Sequence, residues 1–455
     1  MDASVAKRPR TLKRFVQRLA ARGGLVDGCH NANSASRIEW AGSAYTWIEV
    51  LSREDAPLLR LPDEVTSHLG WRGSGDTVSF LVDRLDPCGS KPLLACFSHL
   101  RWDFVFQRPQ QLLTRASRDY HVIYFEEPIW GKVARPRLVR RPHASGVEIA
   151  TPHLPEGIAN PEVSIRRLVD TRLRDSRPHK LLTWYYTPMA LKYTSHLTPD
   201  VCVYDCMDEL SQFKNAPSGL AEWEEVLISR ADIVFTGGLS LYEAKRSRHP
   251  RVYVFPSSID LTHFAPAKTG LTDPADQANL VGPRIGFFGV IDERMDVAMV
   301  AKAAAECSEI QFIMLGPVIK IDPKKLPKLP NLHWLGPKPY AELPAYLSHW
   351  DSGWMPFALN AATQYISPTK TPEFLAAGLP VTSTAVKDVA REYGHRQFVE
   401  IADSENITAS LRASLTTRGG AWWEGVHSHL ARTSWDSTWS SMALHINKVA
   451  RRTFP

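Results

Sequence analysis

The chain has 455 residues, 44% apolar and 22% charged, and a net charge of +6. That length holds two or three domains, and the composition excludes global disorder and nucleic-acid binding by bulk charge. No run approaches the roughly 18–20 apolar residues of a membrane span, no secretory signal is seen, and the scattered cysteines lack zinc spacing, so a cytoplasmic protein with reduced thiols is expected.

Residues 1–90 read as a basic leader and a small accessory β-rich segment. Lys7, Arg8, Arg10, Lys13, Arg14, Arg18 and Arg22 surround Leu12, Phe15, Val16 and Leu19, which fall on one helical face. Such a segment either lies as a helix on the inner face of a membrane, docks as a helix on its own protein, or is a disordered basic leader. A Gly/Asn/Ser-rich break follows at 23–36. Strands are expected at 37–50 and 76–83, with a short helix at 63–69.

From residue 91 onward, short apolar runs alternate with helical stretches. Strands are expected at 93–98, 122–125, 181–185, 201–205, 233–236 and 252–255, with helices at 109–118, 188–196 and 220–230. After a break at 266–283, a second series follows at 284–288, 311–315, 333–335, 353–355, 381–384 and 399–401. Short buried runs separated by helices predict parallel sheets covered on both faces. The expectation is an α/β protein with two Rossmann-like, doubly wound domains, at about 91–266 and 283–430, facing a crevice. Ligands in such folds bind at the carboxyl ends of strands.

Three strand ends carry candidate chemistry. After the first strand come His99, Arg101, Trp102 and Asp103; Trp102 either faces the crevice or packs within an ordered loop. After 201–205 come Asp205, Asp208 and Glu209. These can bind hydroxyls or act as a weak base; alternatively Asp208 caps the next turn and the others pair with Arg or Lys. Gly289 to Arg294 follow the first strand of the second domain, where Arg294 meets either a phosphate or Asp292 or Glu293.

The densest segment is 367–381. Thr371 suits an N-cap and Pro372 the first helical position, whereas Gly378 and Pro380 end the helix. Lys370 and Glu373 then sit at the mouth of a short helix. They suit a phosphorylated, hydroxyl-bearing ligand, or else form a surface ion pair. No Asp-x-Asp motif stands at a strand end in a suitable context, which disfavours metal-dependent sugar transfer. No phosphate-binding P-loop, nucleophile elbow or Gly-x-Gly-x-x-Gly is present. No basic-aromatic interleaving suggests single-stranded nucleic acid.

Taken together, five segments resemble the retaining GT-B glycosyltransferases that use nucleotide sugars. They are Phe97-Ser98-His99-Leu100-Arg101-Trp102-Asp103-Phe104 with Gln107 to Gln111; Val203 to Glu209; Pro256 to Asp260 with Phe264; Gly286 to Arg294; and Ser367 to Val381. The likeness is to the family 1/4-like group, in particular a bacterial subfamily associated with exopolysaccharide and galactofuranose genes, and covers about residues 92 to 450. It implies an acceptor domain followed by a nucleotide-sugar domain, with a C-terminal helix (431–455) crossing back onto the first. It implies metal-independent, cofactor-free hexose transfer to a glycan or lipid-linked acceptor. Gly289, Arg294, Ser367, Thr369, Lys370 and Glu373 would hold the donor. His99, Asp205 and Asp208 would act in catalysis, and Arg101, Trp102, Asp103 and Glu209 would hold the acceptor.

One departure stands out. In many of these enzymes two glutamates lie eight residues apart, the second matching Glu373, but the first position here is Tyr365. Ala361 and Gln364 also replace an expected acid and base. A non-catalytic GT-B partner subunit and a sugar-nucleotide epimerase therefore remain as rival readings.

Overall fold

A computed structural model describes residues 91–453 except 177, 417 and 418. The leader, its membrane contact, the accessory strands, Cys29 and Cys88 lie outside the described residues. Cys96, Cys202, Cys206 and Cys307 are buried, free thiols. Among the described residues no helix is long and apolar enough to cross a membrane.

The first sheet contains β1 (Leu93–Phe97), β2 (His121–Phe125), β3 (Ile129–Gly131), β4 (Arg137–Pro142), β5 (Val147–Pro155), β6 (Leu181–Tyr185), β7 (Val201–Cys206), β8 (Ile233–Thr236) and β9 (Val252–Val254). Their order is β3-β5-β2-β1-β6-β7-β8-β9, with β4 added to β5. The central strand β1 is wholly buried. Its Leu93 pairs with His121 on one side and Leu181 on the other. All pairings are parallel except β4 on β5, an antiparallel hairpin closed around Gly146. The apolar runs gave no sign of β3, β4 or β5. β4 reads Arg-Leu-Val-Arg-Arg-Pro and is mostly exposed, so it lacks the buried-strand pattern.

The second sheet contains β10 (Arg284–Phe288), β11 (Gln311–Leu315), β12 (Leu332–Gly336), β13 (Ser352–Met355), β14 (Val381–Ser383) and β15 (Glu400–Ile401). All are parallel, in the order β12-β11-β10-β13-β14-β15. Counted within its own domain this is 3-2-1-4-5-6, with the reversal between β10 and β13. The first sheet reverses in the same way between β1 and β6. At each reversal neighbouring loops part, which opens a crevice at the carboxyl ends.

The final helix, Trp435–Thr453, follows the second domain but packs on the first. Trp435, Trp439, Met442 and Ile446 are buried with Leu94, Cys96, Leu182 and Val203 in one core. Their spacing of four, three and four residues makes one apolar stripe. Each such side chain contributes about 1.5–3 kcal/mol through burial. Polar contacts also join the domains: Asp388 accepts from Ser240 N at 3.1 Å, and Glu243 pairs with Lys387 and Arg391.

Candidate active site

The helix Lys370–Ala376 starts two residues earlier than expected, with Thr369 at the N-cap position but making no side-chain cap. Thr371 is not the cap. It is fully buried, and its hydroxyl turns to Met355 Sδ at 3.4 Å. Pro372 sits at the third position, where its missing N–H still costs no intrahelical bond. The helix stops where expected, at Gly378 with φ +87°. Gly378 N donates to Leu375 O at 3.1 Å and Leu379 N to Phe374 O at 3.0 Å, the paired bonds of a Schellman motif.

This start places Lys370 and Glu373 three residues apart on one side of the first turn. At seven residues the helix brings little dipole of its own, so the local positive charge is mainly that of side chains. The Lys370 chain lies across Gly289: a Cβ there would come within 2.1 Å of Lys370 Cε. Gly289 also has φ +131°, a backbone state other residues avoid. Lys370 is half-buried and enters no ion pair among the described residues. Burial lowers its pKa, against the pull of Glu373. Glu373 is 5% exposed and accepts a hydrogen bond from Tyr340 Oη at 3.2 Å. Burial pushes its pKa up to about 7, opposed by Lys370.

Around them lies a cleft of about 670 Å³, whose walls include Gly289, Arg294, Thr369, Lys370 and Glu373 from the second domain and Trp102, Asp103 and Phe106 from the first. Arg294 is held by Asp292, with Nε–Oδ1 at 2.9 Å and Nη2–Oδ2 at 2.8 Å. Its guanidinium also stands 5.5 Å from the Phe213 ring centre. The expected Asp292 pairing is therefore present while Arg294 still lines the cleft. Ser367 does not line it. Its carbonyl accepts from Ser257 Oγ at 2.9 Å, in a separate small cavity between the domains.

On the first domain the candidates divide. His99 is half-buried and its Nδ1 is buried without a partner among the described residues. Burial pushes its pKa down to about 4, against the Tyr186 backbone and helped by Lys320. The imidazole is thus neutral near pH 7. Asp208 is pushed up to about 6, first by burial, while Arg294 pulls the other way, Asp292 adds to the rise, and Lys370 and Arg108 oppose it. It does not cap the next turn, Leu210–Gln212, whose N-cap position is Glu209.

Asp205 corrects the expectation of a catalytic or acceptor-binding carboxylate. It is fully buried and gripped by Arg108, with Nε–Oδ2 at 3.0 Å and Nη2–Oδ1 at 2.8 Å. Arg108 Nη1 also donates to Phe255 O at 2.7 Å. Both partners are committed to holding β7 against the helix Arg108–Ala116. Glu209 is likewise occupied, by Lys245 at 2.6 Å, which also holds Glu224 at 2.7 Å. Trp102 touches the cleft but is only 4% exposed, edge-on to Tyr124 at 5.0 Å. Arg101 turns away from the cleft toward Glu126 (3.2 Å) and Glu127 O (2.6 Å). Asp103 stays exposed, paired with Arg141.

Two residues of the site went unread in the sequence. Tyr340, after β12, joins the domains: its hydroxyl accepts from Gln111 Nε2 at 3.3 Å and donates to Glu373, and its ring stacks between Phe106 (4.4 Å) and His263 (4.3 Å). Lys320, after β11, has φ +59° and its ammonium lies 5.0 Å from the Phe213 ring centre. Both follow strand carboxyl ends, the position that could have flagged them.

No protein-family model matches the chain. A Bacillus subtilis (strain 168) protein provisionally named the teichuronic acid biosynthesis glycosyltransferase TuaH is 26% identical over 271 residues, 55% of this chain and 67% of that protein. Among solved structures, an E. coli trehalose-6-phosphate structure bound with UDP-2-fluoro glucose has a TM-score of 0.59 and 13% identity, covering 79% of this chain and 99% of its own. Sucrose-phosphate synthase from Thermosynechococcus elongatus has a TM-score of 0.57 and 15% identity, with the same coverages. The UDP-forming trehalose-phosphate synthase of Burkholderia xenovorans in complex with glucose-6-phosphate has a TM-score of 0.58 and 11% identity, covering 78% and 100%. Such identities carry the fold alone: two Rossmann-like domains in the GT-B arrangement.

Proposed function

We propose that this GT-B glycosyltransferase moves a hexose from a nucleoside-diphosphate sugar to a glycan or lipid-linked acceptor, with retention at the anomeric carbon and without metal or cofactor. The observation that carries the reading is Lys370: a half-buried ammonium laid over Gly289, in no ion pair among the described residues, beside Arg294 and Glu373. A half-buried cation with no direct ion-pair partner is costly, so its place in a cleft favours an anionic ligand. The UDP-2-fluoro glucose bound by the E. coli neighbour and the name of the Bacillus relative both support a sugar-nucleotide donor.

In this reading the donor diphosphate lies against Lys370 and Arg294. Arg294 presents two N–H groups to phosphate oxygens, exchanging some of its bonds with Asp292. The two cations stabilise charge as the nucleoside diphosphate leaves. Glu373 takes ribose hydroxyls in place of the Tyr340 hydroxyl. Neutral His99, with its unpartnered Nδ1, bonds a sugar hydroxyl or the leaving phosphate. Asp208 orients the acceptor hydroxyl, and the departing phosphate takes the acceptor proton on the same face. Positioning and charge stabilisation then do most of the work. We place the reaction in the cytoplasm, at the inner membrane face when the acceptor is lipid-linked.

The test is the melting midpoint of the full chain with UDP, GDP, dTDP or ADP, with and without the matching sugar donors. Ligand binding to the folded state raises the midpoint by mass action. One nucleotide should raise it, and Lys370→Ala should abolish the rise. No rise with any nucleotide favours a non-catalytic partner subunit, in keeping with Ala361 and Gln364. Conversion of the donor without acceptor identifies an epimerase.

A further inference from the structure

Beside the cleft, the first domain carries a second concavity, a groove of about 350 Å³ on one face of the β4–β5 hairpin. Phe104, Val139, Ile149 and Thr151 line it together with two acids and two cations: Asp103 beside Arg141, and Glu126, which Arg101, Trp102 N and Thr151 already occupy. The antiparallel register sets Val139 opposite Thr151 and Arg141 opposite Ile149, so these side chains share one face. β3 extends that face, because Ile129 and Arg137 both pair with His153. A strip therefore runs from Ile129 through Arg137, Val139 and Arg141 to Phe104, with apolar groups and guanidinium groups in alternation. Asp103 and Phe104 also line the cleft, so the groove adjoins it.

Two features set this surface apart. Of the twelve exposed large apolar side chains among the described residues, three lie along this strip: Phe104, Ile129 and Val139. Residues 128–155 also hold five cations (Lys132, Arg135, Arg137, Arg140 and Arg141) against one acid, Glu148, although Glu127 and Glu156 flank them. Arg140 faces away and pairs with Glu148. Among the described residues the Arg141 side chain pairs with Asp103 alone, and the two side chains are 46% and 62% exposed. So exposed a pair is worth little and yields readily to another anion. Charged residues on an edge strand also guard against strand-to-strand aggregation. That accounts for Arg140, but not for a concavity beside a cleft with Phe104 and Val139 in its wall.

We propose that this groove is a second acceptor subsite, which holds the part of the acceptor behind its accepting hydroxyl, and that this part carries an anion. The anion is a uronate carboxylate or a phosphate. Phe104 and Val139 cover the apolar faces of sugar rings, and Arg141 with Arg137 takes the acid group through paired N–H donors. The proposal rests on the transferase reading of the neighbouring cleft.

The experiment is calorimetric titration of the full chain with a galacturonic acid trimer, a glycerol phosphate trimer and neutral maltotriose. At least one anionic probe should bind ten-fold or more tightly than maltotriose, and the better of the two names the acid. Arg137→Gln with Arg141→Gln should remove that preference, and Arg141→Lys should keep part of it. Val139→Asp, which sets a repelling charge in the groove and leaves both arginines in place, should weaken anionic binding as well. The nucleotide-induced rise in melting midpoint should persist in all these variants. Equal binding of neutral and anionic probes, no binding of any probe, or full anionic affinity in the double variant overturns the proposal. An intact preference in a protein that binds no nucleotide would leave an anion groove but remove its role as an acceptor subsite, and would sink the transferase reading separately.

Discussion

Two walls of the crevice carry charged residues at equivalent places, the carboxyl ends of parallel strands, but hold them differently. On the β7 side Asp205 is gripped by Arg108 and Glu209 by Lys245. On the β10 side Lys370 enters no ion pair among the described residues, and Glu373, its neighbour in the first turn, is met by hydroxyls, those of Tyr340 at 3.2 Å and of Thr369. Charges answered within the fold stabilise it; charges left with weak partners in a cleft are poised for a ligand. Asp208 stands between these cases. It lies on the β7 wall, yet its electrostatic neighbours Arg294, Asp292 and Lys370 belong to the β10 wall.

The sharpest break in the comparison is Asp205→Ala. Removing one partner of a buried pair leaves Arg108 uncompensated, and the loss should be about 3–5 kcal/mol. Denaturant unfolding measures it, and a loss below about 1 kcal/mol would show that the pair is not structural. Lys370→Ala should do the reverse. Turnover should fall about 10²–10³-fold, as when a key donor to a developing anion is removed, with the melting midpoint unchanged or raised because a buried unpaired charge is gone. Normal turnover in that variant would end its assignment to the donor phosphate.

The fold was more legible than the site, for physical reasons. β6, β8, β10 and β11 begin and end where their apolar runs do, because strands buried on both faces have no polar alternation to blur them. β4 escaped because an edge strand needs no apolar run. At 371–372 the local Thr-Pro signal for a helix start lost to tertiary packing, which buries Thr371 against Met355. Asp205 looked like a free strand-end carboxylate because its partner lies 97 residues away in the chain. Lys370 and Glu373 were readable because both fall in one short segment. Tyr340, which completes their surroundings, comes from another strand end.

The pH response of an Asp208 variant tests its place in the crevice. Its pKa is raised from 3.8 to about 6 by burial. The folded state therefore binds more protons than the unfolded chain across that window. The stability Asp208 contributes is full below about pH 4 and is lost as pH rises through about 6. His99, lowered from 6.5 to about 4, acts in the opposite direction, and Glu373, raised from 4.5 to about 7, in the same one, so the wild-type profile alone mixes all three. The difference in melting midpoint between wild type and Asp208→Asn isolates the carboxylate. Wild type should lose ground steadily between pH 4 and 7. A flat difference would mean that Asp208 is well solvated and not part of the crevice electrostatics.

The smallest effect tests how Glu373 is held in reserve. Its carboxylate accepts from Tyr340, whose hydroxyl also accepts from Gln111. A donor ribose that takes Glu373 must displace that bond. Tyr340→Phe keeps the ring stack with Phe106 and His263 but removes the competing hydroxyl. A hydrogen bond of this kind is worth about 1 kcal/mol net, so the variant should bind its nucleotide about five-fold more tightly. Calorimetry with the nucleotide identified by thermal shift would read it directly. Unchanged affinity would mean that the ribose reaches Glu373 through its other oxygen and leaves Tyr340 in place. Weaker affinity would mean that Tyr340 helps hold the donor, and that Glu373 and Tyr340 act as one unit on the β10 wall.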